Sequence, residues 1–112
     1  MGEEQSIQKC ILDYLNMFGI AVKVGLFAGK VVRKDGKKSF MRTGGGFNGG
    51  KGFPDVVFIH NGKVSLIEVK SKAGSLRPDQ ILFRDECEKQ KVEVHVAKEL
   101  EDVVDLLERD MI

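Results

Sequence analysis

The stretch DVVFIHNGKVSLIEVK, residues 55–70, decides the fold of this chain. Two apolar, β-branched runs flank Asn61-Gly62, a dipeptide typical of the two-residue turn of a β-hairpin. Counting outward from this turn places Asp55 directly opposite Glu68. Lys70 points to the same face as Glu68, because side chains alternate along a strand. Both faces carry apolar side chains, so we expect a central hairpin that is covered above and below. They are Val57, Ile59, Val64 and Leu66 on the face of Glu68 and Val56, Phe58, Ile67 and Val69 on the other.

Around this hairpin, the hydrophobic spacing predicts further elements. We expect helices over 4–18 (with a cap at Gly19), from Pro78 to about 90 and over 100–111, and strands over 20–26 and 92–97. Asp35-Gly36 indicates a second hairpin between the runs 31–34 and 37–41, and the glycine-rich segment 44–52 is a loop. The order α-β-β-β-β-α-β-α predicts an α/β fold with a mixed central sheet flanked by helices. At 112 residues the chain is a single domain, 1–112.

The two opposed carboxylates of the hairpin need a compensating cation, since like charges directly opposite repel each other. A divalent metal ion would supply it. Oxygen ligands without paired His or Cys point to Mg²⁺ or Mn²⁺ rather than zinc. In the alternative interpretation, Lys70 neutralises Glu68 or Asp55 in a partly buried ion pair and no metal is present.

Charge is distributed unevenly along the chain, although the net charge is only +1. Residues 23–51 carry eight basic side chains and one acid, whereas the chain from Asp85 onward carries ten acids and four bases. A basic segment of this kind suits a bound polyanion. Two solvated faces of opposite sign would produce the same pattern.

The cysteines and the lack of long apolar segments indicate the cellular compartment. Cys10 and Cys87 lack the spacing of a metal site, and their place in helical patterns favours buried free thiols in a reducing interior. Neither a membrane span nor a signal peptide is indicated by the sequence.

Four short motifs resemble those of a known family. Gly52-Phe53-Pro54-Asp55 followed by Ile67-Glu68-Val69-Lys70 is similar to the PD-(D/E)XK nuclease pattern. Glu4-Gln5-Ser6-Ile7-Gln8 resembles the start of the first helix in the virus-type replication-repair nuclease (VRR-NUC) domain, and Leu76-Arg77-Pro78-Asp79-Gln80 resembles the Leu-x-Pro-x-Gln signature of that domain. The glycine-rich lead into Gly-x-Pro-Asp is also typical of it. The resemblance covers nearly the whole chain and is to the stand-alone phage or prokaryotic type.

The resemblance implies a restriction-endonuclease-like core and a role for individual residues. Asp55, Glu68 and the backbone carbonyl of Val69 would bind Mg²⁺ or Mn²⁺. Lys70 would orient or deprotonate the attacking water and stabilise charge on the phosphate, and Gln80 would position Lys70 or the water. Glu4 would complete the acidic cluster from the first helix, although the adjacent Glu3 is the alternative.

The activity implied by the resemblance is structure-specific cleavage of DNA. A homodimer that cuts branched DNA such as four-way junctions, in the cytoplasm of a prokaryotic or phage-infected cell, is the expected form. The DNA backbone would be contacted by basic side chains, namely Lys30, Arg33, Lys37, Lys38, Arg42, Lys51 and Lys72. The competing interpretation is a nucleic-acid-binding module that uses the basic 23–51 segment and does not cleave.

Overall fold

The computed structural model describes residues 2–25, 28–32, 38–42 and 46–112, with the backbone alone for 28–32 and 38–42. The elements in chain order are α1 (Glu3–Leu15), β1 (Ile20–Lys23), β2 (Ala28–Val32), β3 (Lys38–Arg42), a 3-10 turn (Phe47–Gly50), β4 (Val56–His60), β5 (Lys63–Val69), α2 (Pro78–Lys89), β6 (Val94–Ala97) and α3 (Leu100–Glu108). Five strands precede α2, one more than in the predicted element order, and two of them, β2 and β3, are the arms of the hairpin that was predicted around Asp35-Gly36. Those strands pair with each other as a two-stranded sheet. Their turn lies outside the described residues.

The four-stranded sheet has the strand order β1-β4-β5-β6. The β4–β5 hairpin has the predicted register, with His60 opposite Lys63 and Val56 opposite Ile67. Asn61 and Gly62 both have positive φ, 50° and 77°, as a type I′ turn requires. The β5 and β6 strands are parallel, as expected for a strand–helix–strand crossover. The mixed sheet therefore carries a central hairpin in the predicted register.

One face of this sheet, here called the core face, is fully covered. Its side chains include Phe58, Ile67 and Val69, all with no exposed area, and they pack under α1 and α3. Ile11 and Leu15 of α1 and Val103 of α3 complete the same cluster. The core face supplies most of the hydrophobic stabilisation, since burying one such side chain is worth about 1.5–3 kcal/mol.

The opposite face, here called the site face, carries the residues that alternate with this core: Asp55, Val57, Ile59, Val64, Leu66, Glu68 and Lys70. The expectation that it is covered throughout is wrong at the turn end, where Ile59 is 42% and Val64 is 66% exposed. The helix α2 lies on the site face, as the bond from Gln80 to Glu68 shows, but it covers the end with Glu68. The apolar pattern of the β4–β5 hairpin therefore predicted burial correctly for the core face but not for the whole of the site face.

Two helix ends differ from the predicted ones. The helix α1 ends at Leu15 because the Asn16 side chain binds the backbone of Leu12 and of Ala21, which turns the chain into β1. Gly19 is therefore not the helix cap. A Cβ there would lie 2.3 Å from the Ile59 carbonyl oxygen, so glycine permits the close contact with β4. The helix α3 ends at Glu108, which leaves Met111 outside it.

Helices on both faces of the mixed sheet confirm the predicted α/β fold class, and the arrangement is consistent with a restriction-endonuclease-like core. Within the described residues, no helix combines the length and the apolar character needed to cross a membrane.

Candidate active site

Asp55 and Glu68 form an acid pair at one end of the site face. Asp55 directly precedes β4 and is held on two sides. Its backbone carbonyl accepts a hydrogen bond from the Val24 N–H (2.7 Å), and its Oδ2 accepts one from the Val69 N–H (3.0 Å). Glu68 is 2% exposed. Three strands thus fix the position of the pair.

The Glu68 carboxyl keeps its proton at neutral pH in the absence of a cation. Its pKa is raised to about 9, first by burial and then by the hydrogen bond to Asp55 and the negative charge of Asp55. The positive charges of Lys70 and Arg77 lower this pKa, but they do not offset the other causes. At neutral pH Glu68 is therefore protonated, which avoids a second negative charge beside Asp55.

Lys70 lies beside this pair as a nearly buried cation, 5% exposed. Its backbone N–H donates to the Ala97 carbonyl (2.9 Å), which fixes it where β5 and β6 end. All the ion pairs between described residues involve other side chains. In this part of the chain, Lys70 is thus not bound to either carboxylate in the ion pair that the alternative interpretation required.

Gln80 joins α2 to the acid pair. Its Oε1 accepts the backbone N–H of Arg77 (2.9 Å), the residue before the helix, and its Nε2 donates to Glu68 Oε1 (3.1 Å). The first bond satisfies a free donor at the helix start and fixes which end of the amide faces the acid. Pro78 occupies the first helical position, where its missing N–H is not needed. The Leu-x-Pro-x-Gln motif therefore begins the helix and also aims its glutamine at Glu68.

The segment before Asp55 packs against the same helix. Gly52 has φ +82°, and a Cβ there would lie 2.1 Å from the Asp79 carbonyl oxygen. Phe53 contacts Phe83 of α2, with ring centroids 5.2 Å apart, and Phe47 contacts Phe83 at 6.2 Å. This packing ties the chain that leads into Asp55 to the helix that carries Gln80.

The other predicted site residues are placed as follows. Glu4 is exposed on α1, and the described part of the chain contains no group of three His, Cys, Asp or Glu side chains arranged to hold a metal ion. Its role, and that of the Val69 carbonyl, stay predictions. Lys51 and Lys72 are exposed. The side chains of Lys30, Arg33, Lys37, Lys38 and Arg42 lie outside the described residues.

Two features escaped the sequence reasoning. The contact of Gly52 with α2 could have been suspected from the motif, since a glycine before Pro-Asp suggests a close approach or a positive φ. The contacts of Phe83 could not be predicted, because in the sequence it is one apolar residue of a helical pattern like any other. Both act on the acid pair through packing rather than through chemistry.

The mixed sheet carries buried Glu68, half-buried Asp55 and the neighbouring Lys70 at one end, and the match of the chain to a known family identifies it as a nuclease-type domain. The family model of the VRR-NUC domain matches residues 33–99, more than half of the chain, and the chain belongs to this family. Comparison with curated proteins gives no match. The family supports the predicted nuclease in general, with DNA as its substrate.

Proposed function

We propose that this protein is a metal-dependent endonuclease that hydrolyses phosphodiester bonds in DNA. The observation that carries the proposal is the acid pair itself. Glu68 is 2% exposed and lies against a second carboxylate, and in the described part of the chain neither acid forms an ion pair within 4.0 Å. Neither acid is needed for the core, which lies on the opposite face.

The donor set of the acid pair fits a hard divalent cation. The Asp55 and Glu68 carboxylates, with the Val69 carbonyl, would hold Mg²⁺ or Mn²⁺, both of which prefer oxygen ligands. When bound, such an ion supplies a hydroxide nucleophile near neutral pH and neutralises charge on the phosphate. Glu4, or the adjacent Glu3, would add a further carboxylate from α1.

The chain's own side chains divide the remaining work. Lys70 provides a fixed positive charge beside the phosphate and orients the attacking water, and being nearly buried it needs little reorganisation. Gln80 holds the Glu68 carboxylate in place through its Nε2. Arg77, whose charge acts on Glu68 and whose exposed side chain lies 3.5 Å from Asp79, would contact an adjacent phosphate.

The DNA backbone would be bound by the basic segment 23–51. This segment leaves the sheet after Val24 and returns at Asp55, and these two residues are bonded to each other. It therefore starts and ends beside the acid pair. Lys51 and Lys72 are exposed and complete the proposed contacts, with Lys30, Arg33, Lys37, Lys38 and Arg42.

We also propose that the substrate is branched DNA, such as a four-way junction, and that the active form is a homodimer in a prokaryotic or phage-infected cell. One protomer carries one acid pair. Two cuts placed symmetrically across a junction require two sites related by symmetry.

The test uses labelled linear, flapped and four-way-junction DNA with Mg²⁺, Mn²⁺ or EDTA. The wild-type protein should cleave the branched substrates when metal is present. Asp55→Asn and Lys70→Met should each lower the rate roughly 100-fold or more, because each removes a charge that acts on the reacting phosphate. Both variants should bind the junction and melt as folded proteins.

The competing function, a binding module, makes the opposite prediction. It would bind DNA through residues 23–51 and would leave every substrate intact in every metal. Cleavage that persists in Asp55→Asn would show instead that a contaminating nuclease is responsible.

A further inference from the structure

Phe47 is an aromatic side chain that the fold leaves half exposed beside the candidate site. It begins the 3-10 turn Phe47–Gly50 and is 49% exposed, although phenylalanine is among the residues most often buried. In the described part of the chain, Phe18 is the other phenylalanine with a comparable exposure, 47%. Isolated exposed apolar residues are common, so the surroundings of Phe47 decide whether its exposure has a function.

The ring of Phe47 is held by Phe83 of α2. The two ring centroids lie 6.2 Å apart, and the ring planes are inclined by 67°. Contacts of this edge-to-face kind are favourable because the edge of one ring is positive and the face of the other is negative. Such a contact covers at most one face of a ring. Phe83 therefore orients the Phe47 ring and leaves at least one of its faces free.

The turn that carries Phe47 has a defined position relative to α2. Two backbone hydrogen bonds close it, from the Gly49 N–H to the Gly46 carbonyl (3.0 Å) and from the Lys51 N–H to the Asn48 carbonyl (3.1 Å). Phe53 also contacts Phe83, with ring centroids 5.2 Å apart. Both ends of the segment 47–53 are thus bound to the same side chain of α2.

The Phe47 ring lies close to the acid pair. Phe83 comes three residues after Gln80, whose Nε2 donates to Glu68. Residues three apart on a helix have Cβ atoms about 5–6 Å apart. With the length of the Phe83 side chain and the 6.2 Å between the rings added, the Phe47 ring lies within roughly 15 Å of the Gln80 Cβ atom. At about 3.4 Å per nucleotide, this distance spans about four nucleotides of a DNA strand.

We propose that Phe47 stacks on an unpaired base of the substrate and thereby directs the nuclease to branched DNA. This deepens the proposed function and rests on it only for the consequence for cutting. Every nucleobase has a flat π face, and aromatic side chains on which bases stack are usual in proteins that bind single strands. Lys51, exposed at the end of the same turn, supplies a positive charge for a neighbouring phosphate.

Stacking on Phe47 distinguishes branched DNA from a continuous duplex. Inside a duplex each base is already stacked on its neighbours, so a side chain reaches a base face only by unstacking a step, which costs free energy. At a branch point or in a single strand a base face is open, and this cost is absent. Lys51, in contrast, would contact phosphates that both kinds of DNA contain. The selectivity therefore depends on the ring and not on the charge.

Phe18 is a matched control for Phe47 within the same chain. Its ring packs on Tyr14, with centroids 5.1 Å apart and planes inclined by 56°, and it is exposed to nearly the same degree. It lies just before β1, whose first residue, Ile20, is at the turn end of the sheet, opposite the acid pair. The same substitution at Phe18 and at Phe47 therefore compares two similar rings at different distances from the site.

The first experiment uses tryptophan to detect stacking, since the chain contains none. Phe47→Trp and Phe18→Trp are titrated in EDTA with forked DNA, which has unpaired arms, and with a blunt duplex of the same length. Stacking on a base quenches indole emission. Phe47→Trp should be quenched strongly and saturably by the fork and only weakly by the duplex, and Phe18→Trp by neither. Equal quenching of Phe47→Trp by both DNAs, or none by the fork, would overturn the proposal.

Binding constants measured in EDTA separate the ring from its packing. Phe47→Leu keeps an apolar contact with Phe83 but has no π face, and Phe47→Ala lacks both. Each should raise the dissociation constant for forked DNA roughly 5–100-fold and leave that for duplex DNA within about twofold. Lys51→Ala should weaken the binding of both DNAs by a similar factor. Wild-type affinity of Phe47→Leu for the fork, or equal losses for fork and duplex, would contradict stacking.

Cleavage assays with Mg²⁺ or Mn²⁺ separate the stacking from the proposed function. If the wild type stacks on forked DNA in EDTA but cleaves no DNA in any metal, the nuclease proposal fails and the stacking is retained. If the wild type and Phe47→Leu cleave branched DNA equally at every DNA concentration, the stacking proposal fails and the nuclease is retained.

Discussion

The two faces of the central sheet are built from the same four strands and have opposite roles. The core face is apolar and closed by α1 and α3. The site face has buried Glu68 and Lys70 with half-buried Asp55 at one end and exposed apolar side chains at the other. The closed apolar cluster lies on the core face, so polar features of the site face that take no part in this cluster are candidates for function.

Truncation of one isoleucine on each face should reveal the largest difference in stability between the two faces. Ile67→Ala, on the core face, should lower the free energy of unfolding by about 2–5 kcal/mol, because it opens a cavity among fully buried side chains. Ile59→Ala, on the site face, should cost less than about 1 kcal/mol in the monomer. Urea unfolding of dilute protein measures both values. Equal decreases in the free energy of unfolding would show that the exposed end of the site face is part of the monomer's core.

Gly52→Ala should damage the site end of the sheet selectively. The new methyl group would meet the Asp79 carbonyl, and the positive φ would be strained, at a cost on the order of 1–3 kcal/mol. The displacement of α2 from Asp55 should lower the cleavage rate about tenfold or more.

Gly49→Ala is the control for this substitution. Gly49 also has a positive φ, +65°, in the same loop, but a Cβ there would meet nothing within 4 Å. It should keep nearly full activity. Similar rates for the two variants would argue that Gly52 acts through backbone conformation and not through its contact with α2.

The acid pair should make the metal-free protein less stable as pH rises. The pKa of Glu68 is about 9 in the folded protein and 4.5 in the unfolded chain, so the stability that its protonated form contributes is complete below pH 4.5 and is lost as pH rises toward 9. The variant Glu68→Gln does not lose this stability as pH rises, because its amide does not ionise. At pH 7 in EDTA it should be more stable than the wild type by on the order of 1–3 kcal/mol.

Urea unfolding at several pH values between 5 and 9 checks this prediction. His95, whose pKa is lowered by burial, and Cys87, whose pKa is raised by burial, titrate in both proteins and cancel in the difference. If the difference in stability between Glu68→Gln and the wild type does not grow with pH, the raised pKa of Glu68 is contradicted.

The sequence predicted the hairpin and the acid pair because both depend on local rules. Asn61-Gly62 determines the turn, and the turn determines the register up to Val56 and Ile67. Asp55 and Glu68 follow directly at this end of the ladder and interact with each other. The start of α2 at Pro78 follows from the same kind of rule. The contact of Gln80 with Glu68 was not predicted in detail, since it depends on how α2 lies on the sheet.

Burial of the site face could not be predicted from the pattern. Val57, Ile59, Val64 and Leu66 look like residues of a doubly covered strand, yet whether a helix reaches them depends on tertiary packing. An interface between subunits and a buried core produce the same apolar sequence.

Binding of Mn²⁺ to the DNA-free protein tests the central claim most directly. Titration calorimetry in two buffers of different ionisation enthalpy measures the metal bound and the protons released. The wild type should bind Mn²⁺ saturably at pH 7 and release about one proton, because ionisation of Glu68 accompanies binding. The double variant Asp55→Asn/Glu68→Gln should not bind. Equal binding by the two proteins, or none by the wild type, would contradict a metal site at the acid pair.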